Sequence, residues 1–179
     1  MRHMAMLAPY PNAIWAAVLT GGDLISWVER AATFFSPTKD GCARLANPDA
    51  PSFNFDMLHG VEAVIDPFQP AMFDPIGNLI NPTAKRVRKL LYQDAPVDLD
   101  EQFLVSMTSY RGAGGGNFPG ISGNADILRT DHDLTEALHR AVTHGAVAFD
   151  QTPSVWRFDS VHQRAGDYRN IARCARSSG

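Results

Sequence analysis

The chain has 179 residues, 45% of them hydrophobic and 20% charged, a composition typical of one soluble globular domain. Its net charge of −3 and isoelectric point near 6.0 argue against a general nucleic-acid binder, because such proteins usually present a basic face. No apolar run approaches the roughly 20 residues that span a bilayer, and residues 1–10 lack the pattern of a signal peptide. We therefore expect a single domain over residues 1–179 without a membrane span.

Apolar runs and turn signals predict strands joined by tight turns, with helices towards both ends of the chain. Strands are predicted at 13–20, 61–65, 87–92, 103–108 and 155–158. Helices are predicted from Asp23 to about Phe35, from Asp131 or Asp133 to about His144, and from Ala165 to Cys174. The middle strands, including 103–108, resemble a meander rather than βαβ units. The predicted fold class is α+β, a mixed and largely antiparallel sheet with flanking helices.

Three features of these elements need interpretation. Trp27 lies on the apolar stripe of the first helix, and we interpret it as a core residue. The segment Phe-Asn-Phe-Asp at 53–56 either begins a strand with one buried face or offers a ring to a ligand. The basic run at 85–89 alternates like a strand, and we interpret it as a solvated face rather than as a track for phosphates.

The segment 109–120, Ser-Tyr-Arg-Gly-Ala-Gly-Gly-Gly-Asn-Phe-Pro-Gly, follows a predicted strand and is rich in glycine. Each glycine in a helix or strand costs about 0.5–1 kcal/mol relative to alanine, so we expect no regular structure in this segment. Tyr110, Arg111 and Phe118 flank the glycines, and an aromatic face beside a cation and exposed N–H groups suits a ligand with a flat ring and a negative charge. The alternative is a surface hinge in which Tyr110 and Phe118 fill the core. The glycine spacing fits neither the dinucleotide fingerprint nor the P-loop.

No residue pattern indicates a metal site or a catalytic nucleophile. Cys42 and Cys174 belong to no CxxC pair, and the sequence leaves open whether they form a disulfide. Asp131, His132 and Asp133 are neighbours in sequence and would not face one another on a helix, so we interpret them as capping and surface charge. There is no Gly-x-Ser-x-Gly motif. We therefore assign no catalytic residue and no metal ligand to this chain.

Several short motifs follow one another over residues 2–120. They include Tyr-Pro-Asn at 10–12, Thr-Gly at 20–21 with Trp-Val-Glu at 27–29, Phe-Asn-Phe-Asp at 53–56, Gln-Pro-Ala at 69–71, and Tyr-Arg at 110–111 with Gly-Gly-Gly-Asn-Phe at 114–118. In this order they resemble the C-terminal domain of the 5′-nucleotidase family. The resemblance is closest to its bacterial 2′,3′-cyclic-nucleotide 2′-phosphodiesterase/3′-nucleotidase branch. The last motif is the most specific, and resembles that branch's Asn-Tyr-Arg-Ala-Tyr-Gly-Gly-Gly-Lys-Phe.

The resemblance implies a domain that holds the nucleoside part of a nucleotide, with the base stacked between aromatic rings. Matched by position, the stacking pair is Tyr10 and Tyr110, and Phe53 lies where other branches of the family place a ring. The full set of implied substrate-binding residues is Tyr10, Phe53, Asn54, Tyr110, Arg111, Gly112, Ala113, Gly114, Gly115 and Gly116. Ser109, Ala113 and Asn117 stand where the branch has Asn, Tyr and Lys, which leaves base preference and ribose contacts open.

The resemblance also implies hydrolysis by two divalent metal ions in an N-terminal metallophosphoesterase domain, which we expect to be absent from this chain. We expect the chain to bind no metal and to hydrolyse no phosphoester alone. Its expected partners are a nucleotide or nucleoside and that N-terminal domain, not a nucleic-acid polymer, and its expected location is the periplasm or cell envelope. The alternative is a non-catalytic binding or interaction module of the same fold.

Overall fold

A computed structural model of the chain describes residues 8–36, 46–145 and 154–159. Its strands are β1 (Ile14–Thr20), β2 (Glu62–Ile65), β3 (Val87–Tyr92), β4 (Ala95–Pro96), β5 (Gln102–Thr108), β6 (Ile127–Leu128) and β7 (Trp156–Phe158). Its helices are α1 (Gly21–Ala31), α2 (Ser109–Gly112) and α3 (Leu134–Thr143), with 3-10 turns at Ala32–Phe34 and Ser52–Asn54. The predicted α+β class is confirmed, because one sheet is antiparallel and the other is mixed. No helix within these residues is long and apolar enough to cross a membrane.

The described chain falls into two compact units. Unit one contains residues 8–20 and 102–145, and unit two contains residues 21–36, 46–101 and 154–159. The expectation of one domain over residues 1–179 stays a prediction. The predicted helix at 165–174 and both cysteines lie outside the described residues.

Unit one is built on the antiparallel sheet β5-β1-β6. β1 pairs with β5 along its whole length, from Ile14 opposite Thr108 to Thr20 opposite Gln102. β6, which is only two residues long, pairs with the middle of β1 and was not predicted. The helix predicted near residue 131 is confirmed as α3, and Asp133 is its N-cap because its carboxylate accepts the Glu136 N–H at 2.8 Å.

Unit two contains the sheet β4-β3-β2-β7, in which β3 is antiparallel to β2 and β4, while β7 runs parallel to β2. α1 buries its predicted apolar stripe in this unit, and the core position of Trp27 is confirmed. The indole N–H of Trp27 donates to the Asp56 carboxylate at 3.1 Å, so its one polar group keeps a partner on burial. An aromatic cluster fills the neighbouring space and consists of Phe34, Phe35, Phe55, Trp156 and Phe158.

The pairing of one strand and the start of one helix differ from the predictions. Strand 103–108, now β5, does not continue the β2-β3-β4 meander but pairs with β1, because a strand's pattern fixes its buried face and not its partner. α1 begins at Gly21 rather than at Asp23. Gly21 donates its N–H to Glu101 O at 2.9 Å, and a methyl group there would collide with Asp98 O, so the close approach of the two chain segments requires glycine.

The interpretation of residues 85–89 as a solvated face is wrong at Arg86, which is wholly buried, although Lys85, Arg88 and Lys89 are exposed. The Arg86 guanidinium donates to Ala32 O and Phe35 O, both at 2.7 Å, and to Gln69 O at 2.8 Å. Ala32 O also accepts the Phe35 N–H at 3.0 Å, and a planar guanidinium can serve several acceptors at once. Arg86 is therefore a structural residue of unit two.

Glu29 completes this buried network from α1. Its carboxylate accepts the N–H of Val87 at 2.8 Å and of Arg86 at 3.2 Å. Burial raises the pKa of the Glu29 carboxyl above its ordinary value, although the two N–H bonds and the nearby Arg86 charge act in the opposite direction. Burial likewise lowers the pKa of Arg86 to about 10.

Candidate binding site

The glycine-rich segment begins with one turn of helix, α2, so the expectation that it holds no regular structure is wrong for Ser109–Gly112. Thr108 is the N-cap, and its hydroxyl accepts the Arg111 N–H at 3.3 Å. Gly112, the glycine inside the helix, is its last residue and lies against Trp15: a methyl group there would be 2.5 Å from Trp15 Cε3. The following residues are irregular, and Gly114 and Gly116 have φ of 93° and 78°, which glycine adopts without strain.

The segment that carries Tyr10 is hydrogen-bonded to the start of α2. Asn12 Oδ1 accepts the Tyr110 N–H at 3.1 Å and the Ser109 hydroxyl at 3.2 Å. Ser109 in turn exchanges bonds with Ala13: its N–H donates to Ala13 O at 2.8 Å, and its hydroxyl oxygen accepts the Ala13 N–H at 3.0 Å. Two segments that are about 100 positions apart in sequence are therefore joined next to both tyrosines.

Tyr110 and Tyr10 are exposed aromatic residues within unit one. Tyr110 is 48% exposed and Tyr10 is 73% exposed, whereas Phe118 is buried. The hinge alternative placed both Tyr110 and Phe118 in the core, and it is wrong for Tyr110. Gly115 lies against the Tyr110 ring, since a methyl group on Gly115 would be 2.5–2.6 Å from ring atoms Cζ, Cε1 and Cε2. The glycine backbone therefore supports a ring that is half open to solvent.

Arg111 faces the protein rather than open solvent, and is only 7% exposed. Its Nη1 donates to Gly115 O at 2.9 Å. Its guanidinium carbon lies 4.4 Å from the Phe118 ring centroid and 5.2 Å from that of Tyr110, within the range of cation–π attraction. These contacts hold the glycine segment in shape, and the predicted role of Arg111 in lining a ligand pocket stays a prediction.

Residues 1–123 match the family model described as "5′-nucleotidase, C-terminal domain", which covers more than half of the chain. The chain belongs to the 5′-nucleotidase C-terminal domain family. This result confirms the family that the motifs indicated.

The chain is similar to parts of much longer proteins. It is 33% identical over 125 residues to the trifunctional nucleotide phosphoesterase protein YfkN of Bacillus subtilis, covering 68% of this chain and 8% of that protein. It is 37% identical over 136 residues to the 2′,3′-cyclic-nucleotide 2′-phosphodiesterase/3′-nucleotidase of Haemophilus influenzae, covering 74% of this chain and 20% of that protein. The chain thus spans a fifth or less of these two relatives.

A solved structure supports the fold of this 5′-nucleotidase C-terminal domain. A Staphylococcus aureus protein assigned as a 5′-nucleotidase superposes with a TM-score of 0.67 at 21% identity, over 89% of this chain and 29% of that one. At this identity the likeness concerns the fold.

The other implied substrate-binding residues have varied surroundings. Phe53 and Asn54 belong to unit two, on the 3-10 turn Ser52–Asn54, so the alternative of a strand start at 53–56 is wrong. Phe53 is 66% exposed and Asn54 is buried. Ala113 and Gly114 are exposed, and Gly116 is half-buried. Contact of any of these residues with a ligand stays a prediction.

A two-metal centre, which the resemblance implied for a different domain, does not fit the residues described here. Within residues 8–36, 46–145 and 154–159, no group of three or more His, Cys, Asp or Glu side chains is arranged to hold a metal ion.

Proposed function

We propose that this chain binds the nucleoside part of a nucleotide, as the substrate-binding domain of a larger 2′,3′-cyclic-nucleotide 2′-phosphodiesterase/3′-nucleotidase. The observation that carries the proposal is the half-exposed Tyr110 ring, supported by Gly115 and joined through Asn12 to the segment of exposed Tyr10. Membership of the family and the names of the relatives support it.

Aromatic stacking explains how such a site would bind and why it would tolerate different bases. Each base–aromatic stack contributes about 1–3 kcal/mol and uses the flat face that every base has. Two tyrosines together would provide about 2–6 kcal/mol, and about 4.1 kcal/mol corresponds to a Kd of 1 mM. We therefore expect this chain to bind free nucleosides in the millimolar range, with weak preference among bases.

In the whole protein we propose that hydrolysis takes place on an N-terminal metallophosphoesterase domain in the periplasm or cell envelope. Two divalent metal ions there would activate water and stabilise the charge that develops on the phosphate. The residues of this chain would bind the base and orient the nucleoside, while the phosphate would be bound mostly by the metal domain.

Titration with adenosine and with 3′-AMP, followed by NMR, tests the binding proposal. We expect Tyr110→Leu to weaken adenosine binding about 5- to 150-fold, the equivalent of one lost stack, and Tyr110→Phe to stay within about 2-fold of the wild type. Tyr92→Leu, a tyrosine of β3 in unit two, is the matched control and should leave the Kd unchanged. Binding that is indifferent to Tyr110→Leu, or absent at several times the expected Kd, would contradict the proposal and favour a non-catalytic interaction module.

An activity assay separates binding from catalysis. We expect the 179-residue chain to show no turnover of 2′,3′-cyclic AMP or 3′-AMP with added Mn²⁺. Robust turnover that a chelator abolishes would refute the placement of the chemistry on another domain.

A further inference from the structure

We propose that Asn12 is a positioning residue that sets the Tyr10 segment against the first turn of α2, and thereby orients both tyrosines for a bound nucleoside. The inference rests on the proposed function for its effect on binding. Its structural part, the hydrogen bond from the Tyr110 N–H to Asn12, can be tested without a ligand.

The first N–H groups of a helix have no intrahelical acceptors, and in α2 they are satisfied from outside the helix. Arg111 N–H donates to the N-cap Thr108, but the N–H groups of Ser109 and Tyr110 donate to Ala13 O and Asn12 Oδ1. The segment that follows Tyr10 therefore provides two of the three acceptors. The main-chain position of Tyr110, from which its ring projects, depends directly on the Asn12 amide.

Asn12 is itself held from a second side. Its main-chain oxygen accepts the N–H of Leu134, the first residue of α3, at 2.9 Å. Only Pro11 separates Asn12 from Tyr10, and proline fixes its own φ and biases the preceding residue towards an extended conformation. The chain between the Asn12 anchor and exposed Tyr10 is thus short and stiff, so the anchor restricts where the Tyr10 ring can lie.

The chemistry of the contacts predicts which substitution will restore the arrangement. Both bonds from α2 end on Oδ1, an acceptor that aspartate also has, whereas alanine has none. Asn12→Asp should therefore keep the bonds to Tyr110 N–H and the Ser109 hydroxyl, and Asn12→Ala should lose both.

The test compares Asn12→Ala, Asn12→Asp and a matched control, Asn124→Ala, in the 179-residue chain. Asn124 also belongs to unit one, and its side-chain amide donates to Val18 O at 3.1 Å and to Gly120 O at 2.9 Å. Three quantities are measured: the Tm, the exchange rate of the Tyr110 amide hydrogen in the free protein, and the Kd for adenosine.

We expect Asn12→Ala to accelerate Tyr110 amide exchange and to weaken adenosine binding, each by about 10-fold, the effect of losing the hydrogen bond from the Tyr110 N–H. Asn12→Asp should bring both values back to within about 3-fold of the wild type, because its acceptor remains. Asn124→Ala should lower the Tm while leaving the Kd, and the Tyr110 exchange corrected for global stability, unchanged.

The outcomes separate the two proposals. Wild-type exchange and wild-type affinity in Asn12→Ala overturn the assignment of Asn12, as does an equal loss of affinity in Asn124→Ala. If the wild type binds no adenosine but Tyr110 amide exchange changes in the Asn12 variants as expected, the proposed function is refuted and the positioning of Tyr110 by Asn12 is supported.

Discussion

The contact between Gly115 and Tyr110 predicts what Gly115→Ala will do. The added methyl group would lie 2.5 Å from Tyr110 Cζ and 2.6 Å from Cε1 and Cε2. Attractive carbon–carbon contact begins near 3.5 Å, so the ring has to move by about 1 Å. Because Tyr110 is half-exposed, the ring can move towards solvent without displacing core residues.

The expected cost therefore falls on ligand binding and not on folding. The free energy of unfolding should change by no more than about 1 kcal/mol, since the lower entropy of the unfolded chain offsets the displaced ring. Adenosine affinity should fall about 5- to 150-fold, because the displaced ring loses a stack of about 1–3 kcal/mol. Both quantities can be measured on one preparation, by urea denaturation and by adenosine titration.

Gly123→Ala is the matched control for this substitution. Gly123 also lies in unit one, has φ of 77° and has open space around its Cβ position. Alanine there should cost about 1–2 kcal/mol of stability through backbone strain and leave adenosine affinity unchanged. The reasoning is refuted if Gly115→Ala binds adenosine as tightly as the wild type, or if Gly123→Ala loses as much affinity.

Three further predictions concern stability. Arg86→Met should lower the free energy of unfolding by about 3–5 kcal/mol, because it removes a buried cation together with its hydrogen bonds to Ala32 O, Phe35 O and Gln69 O; a loss below about 1 kcal/mol in urea denaturation would contradict this. The raised pKa of Glu29 means that the folded state holds this proton more tightly than the unfolded state, so the contribution of Glu29 to stability should fall as pH rises above 4.5. If the free energy of unfolding of the wild type minus that of Glu29→Gln stays flat or grows with pH, the predicted sign is wrong. Gly112→Ala should cost about 1–3 kcal/mol, because its methyl group meets the packed Trp15 ring, and a Tm equal to that of the wild type would rule out this close contact.

The sequence predicted elements whose signals are local. Apolar runs located β1, β2, β3 and β5 within a residue or two. Asp131 and Asp133 were the two candidate caps of α3, and Asp133 is the one that caps it. Strand partners and the burial of Arg86 depend on groups far away in sequence. Two of the carbonyls that bind Arg86 belong to Ala32 and Phe35, more than fifty positions earlier in the chain. The sequence around Arg86 therefore does not show whether this side chain is buried or exposed.

In the candidate site, too, local sequence signals were informative and contacts between distant residues were not. The composition of residues 109–120 left open whether Tyr110 faces a ligand or fills the core, and the structure exposes its ring. The inward orientation of the Arg111 side chain was not predictable from the sequence. Its acceptor, Gly115 O, is positioned by the φ angles of the neighbouring glycines. Asn12 was visible only as part of a short motif, and its bonds to Ser109 and Tyr110 span nearly a hundred residues.

The glycines of this segment serve two physical needs of the fold. Gly112 and Gly115 allow the backbone to approach the rings of Trp15 and Tyr110, where any side chain would collide. Gly114 and Gly116 supply positive φ values that turn the chain so that Gly115 O meets the buried Arg111. With its cation engaged inside the protein, the segment presents to solvent an aromatic face rather than a charge. Under the proposed function, this arrangement would recognise the base, and the phosphate would be bound mostly by the metal-binding domain.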